Sequence, residues 1–196
     1  MTRRQILGIG LLMTAVALIG FSVLYGKLVN INNAAAPNEA DVVYGGYNMT
    51  QNAANRTDYI GDASKTGRLA GQLPAPDSYY RQQYISLQTA ERPYGLTVYY
   101  EPAEPDSLAS RPVHGERSAL AEQARNNALV LFAMIGNAEK VTFAFRDSPS
   151  SNGLEQDRYD RFITFERSEF EGEYDIQALG NEPEKLGLLL QDGLLR

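Results

Sequence analysis

Histidine and cysteine, the side chains that most often carry catalysis or hold metals, are nearly missing from this chain. His114 is the one histidine, in a stretch rich in proline and glycine, and cysteine is absent. A zinc site would have to be built almost from carboxylates alone, which suit zinc poorly, so His114 reads as a loop residue. Activated hydroxyl nucleophiles fare no better, because neither G-x-S-x-G nor S-x-x-K occurs and no second histidine offers a base. The glycine-rich phosphate cradles G-x-x-x-x-G-K-[ST] and G-x-G-x-x-G are missing too. The sequence therefore points to no catalytic residue, no metal site and no cofactor.

Carboxylates and tyrosines remain. Glu169, Glu171, Glu173 and Asp175 form the densest acidic group, and carboxylate oxygens are what calcium binds. Without the Asp/Asn frame and turning glycine of an EF-hand, the run reads as a solvated edge. Two acids suffice to hydrolyse a glycosidic bond, so Asp157 and Asp160 with the Glu169 group are the residues that a carboxylate-only glycan hydrolase would use. Tyr79, Tyr80, Tyr84, Tyr94, Tyr99 and Tyr100 fall within 22 positions of a chain with 12 tyrosines and no tryptophan. They suit either an amphipathic contact surface or cross-strand packing, and the strand propensity around them favours packing.

The elements that would position these residues follow from periodicity. Asp62 is a helix N-cap, and a short helix runs through Leu69 until Pro74 stops it. Gln82 to Thr89 and Leu96 to Tyr100 have strand character and flank the turn Glu91-Arg92-Pro93-Tyr94-Gly95, which makes a hairpin. Glu116 to Ile135 is the clearest helix, and its second half is apolar nearly all round, so it belongs at the buried centre. Lys140 to Arg146 and Arg158 to Glu166 read as a second pair of strands, and Pro183 to Leu190 as a last helix. Helix, hairpin, long helix, hairpin, helix predicts an α+β two-layer sandwich: an antiparallel sheet of about four strands packed by helices around a central long helix.

The N-terminus has a different character. Ile6 to Tyr25 is an uncharged apolar run of 20 residues, long enough at 1.5 Å per residue to cross a hydrocarbon core of ~30 Å. Arg3 and Arg4 precede it and Lys27 follows, which by the positive-inside rule favours a cytoplasmic N-terminus. The run exceeds the length of a typical signal-peptide core, and Lys27, Asn30, Asn32 and Asn33 separate it from Ala34, Ala35 and Ala36. An uncleaved anchor is therefore favoured over a cleaved signal. The expected organisation is a transmembrane anchor at 1–28, a flexible Asn/Ala/Gly-rich linker at 29–55 and an extracytoplasmic domain at 56–196. Net charge is −6 for the whole chain; beyond residue 28 it is −9, from 15 basic and 24 acidic residues. Such acidity disfavours nucleic acid, whose phosphates need clustered Lys and Arg.

Three segments together resemble a known family: Tyr59-Ile60-Gly61-Asp62-Ala63-Ser64; Leu87-Gln88-Thr89 with Pro93-Tyr94-Gly95-Leu96-Thr97-Val98-Tyr99-Tyr100; and Asn127 through Asn137 (NALVLFAMIGN). The family is an uncharacterised bacterial domain of unknown function, found outside the membrane in proteins with one N-terminal anchor. Similar domains also look to be attached to antibiotic-sensor-type membrane metallopeptidases. The resemblance covers roughly Arg56 to Glu173 and implies a location and a sensing or interaction role, with no catalytic residues to transfer. Tyr59, Asp62, Asn127 and Asn137 match its pattern, and with Tyr94 they are the candidate ligand-binding residues. Each also has a structural reading: Asp62 as a cap, Asn137 just past a helix end, Asn127 as a polar tie to neighbouring backbone. The expected function is a membrane-anchored, non-catalytic extracytoplasmic module that binds a protein or cell-envelope ligand in sensing or regulation. The alternatives are the carboxylate-only hydrolase and a structural subunit of a membrane complex.

Overall fold

A computed structural model describes residues 41–103 and 116–193. The proposed anchor at 1–28 and His114 lie outside the described residues, and among those described no helix is long and apolar enough to cross a membrane.

The core is one four-stranded sheet in the order β3-β4-β5-β6, with β3 at Tyr80–Gln88, β4 at Gly95–Pro102, β5 at Lys140–Phe145 and β6 at Arg161–Glu166. β3 pairs antiparallel with β4, and β5 with β6, as the two hairpins predicted. The central pair is parallel: Leu96 faces Val141 and Tyr100 faces Phe145. The sheet is thus mixed, which corrects the antiparallel expectation. The cause is the long helix α3 (Glu116–Met134) between the hairpins. It carries the chain back along the sheet, so that β5 starts at the same end as β4, which is how a helical crossover joins parallel strands.

Period-two alternation puts Ile85, Leu87, Leu96, Val98, Tyr100, Val141, Phe143, Phe145, Ile163 and Phe165 in the main core. Against this face lies α3, fully buried from Asn127 to Ile135. A helix apolar all round needs cover on both sides. The outer cover comes from the helices α2 (Ala63–Gly71) and α5 (Ile176–Asn181), together with an extended segment in which Thr57 bridges Ile135. This outer cover goes beyond the two layers anticipated. The C-terminal carbonyls of α3, which no intrahelical donor reaches, are capped by the Thr57 amide on Met134 at 2.9 Å. Arg167 adds its guanidinium on Phe132 O at 2.9 Å and on Ile135 O and Ala138 O at 3.3 Å.

The expected linker at 29–55 is corrected over its second half, because residues 41–55 belong to the fold. Gly45 and Gly46 take φ of +54° and +89°, the left-handed backbone of a two-residue hairpin turn. This turn joins β1 (Val43–Tyr44) to β2 (Tyr47–Asn48), and α1 (Met49–Ala54) follows with Asn48 as its N-cap. Tyr47 and Met49 are buried in the main core. Past β6 come α4 (Arg167–Glu171), α5 and α6 (Pro183–Gly193), the last of them foreseen.

Candidate functional site

With helices on one face of the sheet, the other face shows how much of the protein is left free to bind. Its residues are the alternates of the core set, and the strand registers arrange them in rows. Ser86 pairs with Thr97, Thr97 with Thr142, and Thr142 with Thr164, so one row consists of four hydroxyl side chains, one from each strand. Thr142 and Thr164 share a hydrogen bond of 3.0 Å, and Ser86 Oγ lies 3.2 Å from the Tyr99 hydroxyl. Beside this row runs Gln88, Gly95, Lys140, Glu166. On β3, β4 and β5 these rows form an open trough of about 570 Å³ lined by Ser86, Gln88, Thr97, Lys140, Thr142 and Gln156 among others, and Thr164 and Glu166 on β6 continue the rows beyond it.

The next row, Tyr84, Tyr99, Ala144, Phe162, is partly roofed. Tyr159 and Leu154 pack on Tyr99 and Ala144 in a small second core, with the Tyr99 and Tyr159 rings edge to face at 4.8 Å. The segment that supplies this roof is pinned from below by Glu101, at the end of β4, and Arg146, just past β5, which are 2% exposed. Glu101 accepts the Tyr159 hydroxyl at 2.8 Å on one oxygen, and the Ser150 amide at 2.8 Å and hydroxyl at 3.1 Å on the other. Arg146 lies 3.9 Å from Glu101, donates to Glu155 at 3.0 Å and sits 5.5 Å over the Tyr159 ring. Burial, then the bond to Glu101, pushes the Tyr159 phenol well above its ordinary pKa, so it stays a donor. Sequence reasoning missed both the hydroxyl row and this pin. The alternation showed which residues share a face, but the row appears only once β4 and β5 are known to run parallel.

The candidate residues read from sequence are divided. Asp62 caps α2 by accepting the Lys65 amide at 3.2 Å, and Asn137 accepts the Ile60 amide at 2.7 Å, so these two and Tyr59 meet where the 57–62 segment crosses the end of α3. Tyr59 is 69% exposed. Tyr94 is half-buried, and its amide donates to the Glu139 carboxylate at 2.8 Å. Asn127 is set apart in the interior. It accepts the Tyr47 hydroxyl at 2.7 Å and donates to the Pro74 carbonyl at 3.0 Å, while Gln123 donates to Tyr47 at 2.7 Å. Burial raises the Tyr47 phenol far above its usual pKa, against the opposing effect of the Gln123 bond.

A second cleft, of about 770 Å³, opens beside the crossing and is lined by Arg56, Asp58, Gly136, Arg167, Glu173 and Asp175 among others. Most of its charges serve the fold. Arg56 donates to Asn181, Arg167 caps α3, Glu173 pairs with Arg125 at 2.7 Å and Asp175 caps α5. Glu169 lies outside this cleft and completes a capping box at the start of α4. Its carboxylate returns to the Glu166 amide at 2.8 Å, at the opposite end of β6 from Asp160. Six residue steps at ~3.3 Å put these two acids about 20 Å apart, far beyond the ~5 to 9.5 Å that glycosidase acid pairs span. Among the described residues no group of three or more acids or histidines is placed to hold a metal ion.

Residues 52–159 match the family described as a domain of unknown function, DUF4825. The chain belongs to this family. No curated protein and no solved structure matches it. The DUF4825 match takes in α2, α3, strands β3 to β5 and the Glu101, Arg146, Ser150 and Tyr159 pin. It therefore contains three of the four hydroxyl positions and stops short of Thr164.

Proposed function

We propose that this DUF4825 protein is a membrane-anchored, non-catalytic module that works outside the membrane and takes its ligand on the uncovered half of the sheet. The observation that carries this reading is the trough itself. A four-stranded sheet has one face buried by helices; among the described residues the other is roofed only at its Tyr99 and Ala144 end, and the rest presents polar side chains. Antiparallel and mixed sheets tolerate one solvated face, but the roof leaves a concave patch with side walls, as binding sites require. The apolar run Ile6 to Tyr25 behind Arg3 and Arg4 supports the anchored, outward-facing placement. Separation of the Asp160 and Glu169 carboxylates supports binding over glycosidic hydrolysis.

A photo-crosslinking amino acid placed at Thr142 in the full chain, in its own membrane, tests this. The expected result is a specific adduct from Thr142 and none from the same probe at Glu184, which is exposed on α6. Equal labelling at the two positions, or labelling only at Glu184, would remove the sheet face as the site.

A further inference from the structure

We infer that the ligand of this face is an uncharged glycan, laid across the strands along Ser86, Thr97, Thr142 and Thr164; this rests on the sheet face being the binding site. Neighbouring strands lie ~4.8 Å apart, so the four hydroxyls extend over about 14 Å. Each hydroxyl both donates and accepts. Their natural complement is a ligand that also presents donors and acceptors on the same atoms at short intervals, which is what successive sugar hydroxyls do. An extended peptide asks for different features, a free strand edge for its backbone and pockets for alternate side chains, and the hydroxyl row supplies neither.

Charge points the same way. Among the described residues Lys140 is the one charged side chain lining the trough, and Glu166 is its direct cross-strand neighbour on the same face. Opposite charges side by side leave the surface near neutral, without the basic cluster that would draw an anionic polymer. Phe162, in the row next to Thr164, is 54% exposed. Its ring is available to the apolar face of a sugar, while Gly95, without a side chain, keeps the floor of the adjacent row open.

The test is binding of the full chain, in lipid nanodiscs, to an array of neutral and acidic oligosaccharides. The inference expects binding to neutral members. It also expects at least a tenfold loss in affinity for Thr142→Val with Thr164→Val, which removes the hydroxyls but keeps β-branched shape on one half-buried and one exposed strand position, and no change for Glu184→Gln. Phe162→Ala is the second variant, expected to weaken binding even if the threonine pair perturbs folding. Binding to acidic members alone, binding insensitive to both variants, or no glycan binding would overturn the inference. A blank array with a protein adduct at Thr142 would reject the glycan and keep the site; a blank array with no adduct there would reject both.

Discussion

At the residue scale the most demanding feature is the pairing of Glu101 with Arg146. Burying a carboxylate and a guanidinium costs several kcal/mol per ion in lost hydration, and it is tolerated only where the remaining donors and acceptors are engaged. Glu101 meets that condition through three hydrogen bonds, from Tyr159 and Ser150, while Arg146 meets it in part, through Glu155 and the Tyr159 ring, its Nε being buried without a partner. All of these partners come from the 150–159 segment that roofs part of the open face. The pair thus fixes the roof to the sheet. Arg146→Met leaves Glu101 charged and buried, and a loss of about 3–5 kcal/mol in urea unfolding is expected. Adding Glu101→Gln removes the stranded charge and should recover part of that loss. No recovery in the double variant would mean that the two residues act independently.

At the element scale the tightest constraint is the contact of α5 with α3. A Cβ built on Gly180 would run into the Ala133 carbonyl oxygen, which is backbone and cannot rotate aside. Gly180→Ala should therefore cost more than the ~1–3 kcal/mol typical of an overpacked core, even though alanine is the better helix former. Calorimetric melting of the two proteins checks this, and a stabilised variant would show that α5 is free to move off α3. Gly180 gave no sign of this role in the sequence, because α5 has six residues and completes too few turns to display a period. The same is true of α4, and of β1 and β2 with two residues each. The acidic run that reads as a solvated edge hides two helix starts, where Glu169 and Asp175 act as capping residues. Longer elements were legible. Leu96, Val98 and Tyr100 alternate in the sequence and face the core, and the Asp62 cap is where its residue type places it. Strand direction was not, since alternation records which face a side chain takes and nothing about which way the chain runs. The helix between the hairpins held that information. The candidate site moved for the same reason: Asn127 and Asn137 are recognisable as polar residues on and just past an apolar helix, whereas the hydroxyl row exists only across four strands.

At the scale of the whole molecule, the start of the fold decides how close the sheet is held to the proposed anchor. Composition placed that start at Arg56, yet Tyr47 is fully buried, packs in the main core and hydrogen-bonds Asn127 on α3. With residues 41–55 in the fold, 15 residues separate the apolar run from the described fold, a span of at most about 50 Å at ~3.3 Å each; a tether running to residue 55 would double that reach. The premise is testable through Tyr47 alone. A tyrosine on a linker changes stability by no more than ~0.5 kcal/mol when replaced, whereas removing a buried aromatic ring costs about 3–5 kcal/mol. Tyr47→Ala in the full chain should show the larger loss, and Tyr47→Phe a smaller one, because Gln123 still donates to Asn127 at 3.2 Å. Limited proteolysis should leave a resistant core that begins before Tyr47. A core beginning near Arg56, with Tyr47→Ala unchanged in its melting, would return residues 41–55 to the tether and lengthen its reach.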